Sequence, residues 1–215
     1  MVNGIEIKVC GLTKLSDAIA AASLGVDYLG FNFFQESPRC QSYEDYRSFA
    51  AKLPDLPKVA IAVSPDREIF TDLLKLGIDF YQFHYPADVT QRSMLQEWSS
   101  IFGPEKLWLA PRIAPDQSFD EDALPLADTW LLDAYRKDVY GGTGRTSDWG
   151  EFARVSKSHP EKNWILAGGL GPDNLQAALL ETQAKRIDLN SGVEVSPGIK
   201  DPSKLELVKN VLESL

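Results

Sequence analysis

Two side chains in this 215-residue chain could exchange protons with a bound molecule, Cys10 and Asp133. Asp133 ends the apolar run Trp130-Leu131-Leu132, which reads as a buried strand. Cys10 ends the alternating run Ile5-Glu6-Ile7-Lys8-Val9, which reads as another. A thiolate accepts a proton, and a carboxylic acid whose pKa is lifted by burial donates one. One base and one acid on opposite sides of a bound sugar suit proton shuffling of the aldose–ketose kind. Each residue also has a plainer reading: a strand-ending Asp is a common turn former, and a buried Cys is a small hydrophobe.

Other residues add binding chemistry. Gly168-Gly169 and Asn190-Ser191-Gly192 are small turns after apolar runs, where backbone N–H groups could hold a phosphate. Arg39, after Ser37-Pro38, could fork onto a substrate carboxylate, or be a solvated surface arginine. His84 stands among Phe80, Tyr81 and Phe83 and reads by itself as a packed histidine, whereas His159 sits in a polar turn. Asp188 is a further strand-end acid. Gly141, Gly142, Thr143 and Gly144 form a glycine-rich loop after Asp133, and Asp148 with Glu151 has the spacing of a helix capping box. Two His and two Cys at these spacings make no zinc pattern, so no metal is expected. No Ser-His-Asp order is present either.

Positioning such residues requires repeated strand–helix units. Strands are expected near 5–10, 26–34, 58–63, 79–84, 107–113, 130–132, 164–167 and 185–189. Helices are expected from Ser16-Asp17 to Gly25 and over 43–53, 66–76, 88–102, 118–125 and 201–214. One more starts at Asp148, and another at Gly171-Pro172-Asp173 with the proline at its first position. Eight such units without a linker predict an α/β fold, a single (β/α)₈ TIM barrel spanning 1–215 as one domain. A doubly wound sheet competes, but no Gly-x-Gly-x-x-Gly follows the first strand. In a barrel, chemistry sits at the C-terminal strand ends, and the residues above are the ones found there.

Composition narrows the function classes. A net charge of −9 argues against nucleic-acid binding, which needs a basic face. Two cysteines exclude a disulfide scaffold and favour a reducing compartment. No signal pattern opens the chain and no apolar run could span a bilayer, so a cytoplasmic protein without a membrane partner is expected. A phosphorylated small molecule is the expected ligand, and a monomer the expected state.

Several stretches together resemble the phosphoribosylanthranilate isomerase family of tryptophan biosynthesis. They are Ile7-Lys8-Val9-Cys10-Gly11-Leu12-Thr13, Ser37-Pro38-Arg39, Gln82-x-His84, and Leu131-Leu132-Asp133 with Gly141-Gly142-Thr143-Gly144 and Asp148-Trp149. To these are added Leu166-Ala167-Gly168-Gly169-Leu170 and Asp188-x-Asn190-Ser191-Gly192-Val193-Glu194, followed by Pro197-Gly198-x-Lys200-Asp201. The resemblance implies a (β/α)₈ barrel catalysing an Amadori rearrangement without metal or organic cofactor. Asp133 would be the general acid and Cys10 the base, while Arg39 would hold the anthranilate carboxylate. His84 and Asp188 would contact substrate, with Asp188 bonding a hydroxyl. The turns at Gly168-Gly169 and Asn190-Ser191-Gly192 would hold the phosphate, and the loop bearing Gly141 to Gly144 would close over the site.

Two positions depart from the family. Tyr85 replaces the usual glycine after His84 and is expected to reshape the rim, and Arg112 stands near the usual lysine of strand five. Other phosphosugar barrels would carry paired aspartates or a metal-binding His/Asp set, which this sequence lacks. A non-catalytic barrel that binds a phosphorylated ligand, or an isomerase of a related aminated phosphosugar, is the alternative.

Overall fold

Apolar runs rich in Val, Ile, Leu and Phe pair best as parallel strands whose two faces are both covered. Eight of them do so here: β1 (Glu6–Val9), β2 (Tyr28–Asn32), β3 (Lys58–Val63), β4 (Phe80–Pro86), β5 (Leu107–Arg112), β6 (Thr129–Asp133), β7 (Asn163–Ala167) and β8 (Arg186–Leu189). The structure is a computed structural model that describes residues 1–87, 91–114, 117–133 and 149–215. The strands run in order around a closed barrel. Closure comes from β1 against β8, with Lys8 opposite Asp188 and Val9 opposite Leu189.

Each strand has an inner and an outer row of side chains, because successive residues point to opposite faces. The inner row carries Cys10, Val59, Ile61, Trp108, Ala110, Leu131, Ile165 and Ala167, which form one buried cluster. The outer row, including Phe31, Phe83 and Trp130, packs under the helices. Those are α1 (Leu15–Ser23), α2 (Tyr43–Ala50), α3 (Arg67–Leu74), α4 (Arg92–Phe102), α5 (Trp149–Ser158), α6 (Leu175–Thr182) and α7 (Pro202–Glu213). Truncating an inner residue such as Ile165, 2% exposed, to Ala would cost roughly 2–5 kcal/mol.

Local chemistry explains most boundaries. Asp66 and Asp201 cap α3 and α7 by accepting from two backbone N–H groups each. Gly25 and Gly77 follow α1 and α3 with positive φ, the conformation that favours glycine. Two expectations need correction. The helix expected over 118–125 is a 3₁₀ helix at Glu121–Leu126; Pro125 lies inside it and has no N–H to continue an α-helix. The helix expected to begin around Pro172 begins at Leu175, and Asn174 folds back so that its side chain accepts from the Gly171 amide. The antiparallel hairpin β9 (Glu194–Ser196) and β10 (Ile199–Lys200) after β8 was not anticipated. No helix among the described residues is long and apolar enough to cross a membrane.

Candidate active site

Cys10 continues β1 beyond its last ladder residue, its N–H donating to the Leu189 carbonyl at 2.8 Å. Alternation puts Glu6, Lys8 and Cys10 on the inner face, so Cys10 stands at the C-terminal mouth with Lys8 one layer below. Cys10 is buried, 4% exposed. Burial pushes its thiol above the ordinary value; the Asp188 charge adds to this, and the charges of Lys8 and Lys200 oppose it.

Lys8 is itself fully buried and donates to Asp188 Oδ1 at 2.9 Å. Burial alone would lower the lysine pKa, but the charges of Asp188 and Cys10 outweigh it and the net shift is upward. Lys8 therefore remains an ammonium. Asp188, assigned from sequence to a substrate hydroxyl, has one oxygen committed to this buried ion pair.

Asp133 ends β6 and is opposed by Ala167 of β7. By surface area its side chain is exposed, yet its pKa is lifted to about 6, chiefly by lost hydration and next by the Asp188 charge, with Arg112 opposing. Exposed area and lost hydration coexist because Asp133 stands at the C-terminal end of β6, within reach of the charges of Asp188 and Arg112. An acid in that state carries a proton well into the range where free carboxyls have lost theirs.

His84 lies on the inner row of β4 with Gln82, away from Tyr81, Phe83 and Tyr85, which face the helices. It is not packed among those aromatics. Its Nε2 lies 2.9 Å from Gln82 Nε2, so with the amide donating, the imidazole proton sits on Nδ1. Burial, then the charges of Lys8 and Arg112, lower its pKa to about 3. The ring is neutral at working pH. Tyr85 does not reshape the rim as expected: it is 4% exposed and meets the edge of Trp98 with ring centres 6.1 Å apart. Arg112 ends β5 in the inner-row register of Trp108 and Ala110, and its charge acts on both His84 and Asp133.

The segment after β2 returns on itself through a bridge between Asn32 and Cys40, with Ser37 Oγ accepting from the Arg39 amide at 3.1 Å. This brings Arg39 against Gly11. A Cβ on Gly11 would come within 2.6 Å of Arg39 Cδ and 2.8 Å of Asn190 Oδ1, and its φ is +70°. Arg39 is already engaged. Its Nε and Nη2 fork onto Glu194, with Nε–Oε1 at 2.9 Å and Nη2–Oε2 at 2.6 Å. Lys200 Nζ donates to the same carboxylate at 2.7 Å and to Asn190 Oδ1 at 3.1 Å. Burial opposes the charge on Glu194, but these bonds prevail and its pKa falls.

The two glycine turns after β7 and β8 touch each other through backbone. A Cβ on Gly192 would lie 2.1 Å from the Leu170 carbonyl oxygen, and one on Gly171 would lie 2.7 Å from that of Gly192. Gly168 and Gly169 both have positive φ. Ser191 and Gly192 open a three-residue 3₁₀ helix, whose first N–H groups have no partner within the helix. The loop with Gly141, Gly142, Thr143 and Gly144 lies outside the described residues, as does Asp148. The other half of the expected capping box, Glu151, accepts from Arg154 and from the Phe119 amide.

The structure thus gathers Cys10, His84, Asp133, Asp188 and the two glycine turns at one mouth, with Arg39 beside it. The sequence alone gives Lys8, Glu194 and Lys200 no role, and marks Gly171 only as a helix start. A charged residue inside an apolar strand pattern was the available signal for Lys8. Glu194 and Lys200 stand in the family's motif after β8, but their spacing does not show that a hairpin brings them together.

Comparison with known proteins agrees with this geometry. The sequence profile of the N-(5′-phosphoribosyl)anthranilate isomerase family matches residues 7–211. The N-(5′-phosphoribosyl)anthranilate isomerase of Gloeothece citriformis is 38% identical over 205 residues, covering 94% of this chain and 90% of the relative. That of Zymomonas mobilis is 34% identical over 205 residues, covering 94% of each. Among solved structures, phosphoribosyl anthranilate isomerase from Thermus thermophilus superposes with a TM-score of 0.79 at 26% identity, covering 98% of this chain and 99% of that one. A phosphoribosyl anthranilate isomerase in complex with reduced 1-(o-carboxyphenylamino)-1-deoxyribulose 5-phosphate shares the fold, with a TM-score of 0.71 at 23% identity over 98% of this chain and 100% of that one. A match of this extent, on a barrel whose mouth carries Cys10, Asp133 and the glycine turns, places the chain in the N-(5′-phosphoribosyl)anthranilate isomerase family.

Proposed function

We propose that the chain catalyses the Amadori rearrangement of N-(5′-phosphoribosyl)anthranilate to 1-(2-carboxyphenylamino)-1-deoxyribulose 5-phosphate, a step of tryptophan biosynthesis. The observation that carries the mechanism is the placement of Cys10 and Asp133 at the C-terminal ends of β1 and β6 around one barrel mouth, with the carboxyl's pKa raised to about 6. Asp133 gives its proton to the furanose ring oxygen as the C1–O bond breaks and the anthranilate nitrogen becomes a Schiff base. Cys10, as thiolate, removes the proton from C2 and leaves an enolamine. Passage of the O2 proton away and protonation of C1 give the ketone. The atoms of substrate and product are the same, and only protons and double bonds have moved.

The two glycine turns supply phosphate ligands from backbone N–H groups, anchoring the far end of the substrate. Arg39 meets the anthranilate carboxylate; Glu194 holds Nε and Nη2, and the guanidinium is presented already oriented. Neutral His84, with its proton on Nδ1, is a donor toward substrate oxygen, and the free oxygen of Asp188 is an acceptor for a hydroxyl. We extend the reading to a monomer acting in the cytoplasm; the Thermotoga maritima relative is described as dimeric, so mass in solution by light scattering decides that point.

The test is to add purified protein to freshly made phosphoribosylanthranilate. The expected result is rapid loss of anthranilate fluorescence with formation of an isomer of unchanged mass. A folded protein that leaves the fluorescence unaltered would instead support a phosphorylated-ligand-binding barrel.

A further inference from the structure

Lys8 is a buried charge to which the rearrangement assigns no part. At 1% exposure it sits inside the barrel, where a leucine or methionine would pack at no desolvation cost. Its Nζ is anchored to Asp188 Oδ1 at 2.9 Å across the β1–β8 seam. On the other side β2 offers Gly30, where a Cβ would come within 3.1 Å of both Lys8 Cε and Cys10 Cα. The missing side chain makes room for the lysine stem to rise directly beneath Cys10. An ammonium has three N–H donors; one is taken by Asp188, and the others are free to act on the thiol of Cys10, the next residue on the inner row.

We propose that Lys8 is a positioning residue for the proton transfer: anchored by Asp188, its ammonium donates to the Cys10 sulfur and stabilises the thiolate that takes the C2 proton. This rests on the reading of Cys10 as base. The other charged groups facing Cys10 are Asp188 on β8, Lys200 on β10 and Arg39 after β2. Of these charges Lys8 acts most strongly, with Asp188 next and opposite in sign. Replacing Lys8 and replacing Asp188 must therefore move the thiol in opposite directions. A merely structural role for the pair would not.

The test follows the rate of iodoacetamide alkylation of the Cys10 peptide against pH, read by mass spectrometry so that Cys40 is counted separately. Lys8→Met is expected to raise the midpoint by about one unit or more, and Asp188→Asn to lower it. Because Lys8→Met strands a buried carboxylate and can unfold the chain, the double variant Lys8→Met/Asp188→Asn is measured alongside, with near-ultraviolet circular dichroism as the check on folding. Its midpoint is still expected above wild type. An unchanged midpoint in the folded double variant, or shifts of the same sign in both single variants, would overturn the proposal. Turnover of Cys10→Ala is scored separately: if it persists, the base assignment fails whatever the alkylation shows.

Discussion

The two ends of the barrel interior are both polar and behave oppositely. At the N-terminal end, the first residues of five strands form one satisfied network. Glu6 accepts from Arg186 Nε at 2.7 Å and from the Tyr28 hydroxyl at 3.1 Å. Arg186 Nη1 donates to Asn163 Oδ1 at 2.6 Å, and Asn163 Nδ2 to Thr129 Oγ1 at 3.4 Å. At the C-terminal end, burial and the Asp188 charge hold both Asp133 and Cys10 above their ordinary protonation behaviour, against the cations nearby. One end spends its polar groups on one another, and the other keeps them available for a ligand. A barrel can do this because each strand carries independent residues at its two ends.

Substitutions should separate the two ends, and the largest effects belong to the mouth. Asp133→Asn and Cys10→Ala should each lower turnover by about 10³-fold or more with the fold intact, measured by fluorescence decay and circular dichroism. Arg39→Ala should weaken binding of anthranilate-bearing ligands more than of ribose phosphates, read by calorimetry; equal loss for both would sink the carboxylate contact. At the opposite end, Arg186→Met should cost about 2 kcal/mol of stability in denaturant titration and leave kcat/KM close to wild type. If it abolished activity in folded protein, the division between the ends would be wrong. The smallest expected effect is a gain. Asp133 has a folded pKa above its unfolded value, so the folded state binds more protons between about pH 4 and 6 and loses stability as pH rises through that window. Asp133→Asn should therefore be more stable than wild type at pH 7–8, with no advantage below pH 4.

Much of this contrast was legible before the structure. Dense apolar runs locate all eight strands, because a parallel strand buried on both faces leaves a near-continuous apolar signature. Cys10, Asp133 and the glycine turns stand out because each interrupts that signature at a strand end. Tyr85 was misread because sequence alone does not say which face a rim residue takes; alternation in β4 sends it to Trp98. The Glu194–Lys200–Arg39 cluster was illegible for a different reason. Arg39 and Glu194 are far apart in sequence, and the β9–β10 hairpin that sets Glu194 beside Lys200 is too short for a periodic signal. Lys8 was visible as a charge in an apolar run, but its meaning depends on Asp188 across the seam.

The most direct test of the central claim is the pH dependence of kcat/KM for wild type and for Asp133→Asn. The rearrangement requires Asp133 protonated and Cys10 ionised at once, although Asp133 titrates near pH 6 and burial pushes Cys10 above its ordinary 9.0. Between those values the protonated fraction of Asp133 falls as fast as the thiolate fraction rises, so their product is constant. The predicted profile is flat from about pH 6 to above pH 9 and falls outside that range, and the activity is lost in Asp133→Asn. A profile that declines steadily from pH 6 upward, or an Asp133→Asn variant that retains the plateau, would contradict the acid–base assignment.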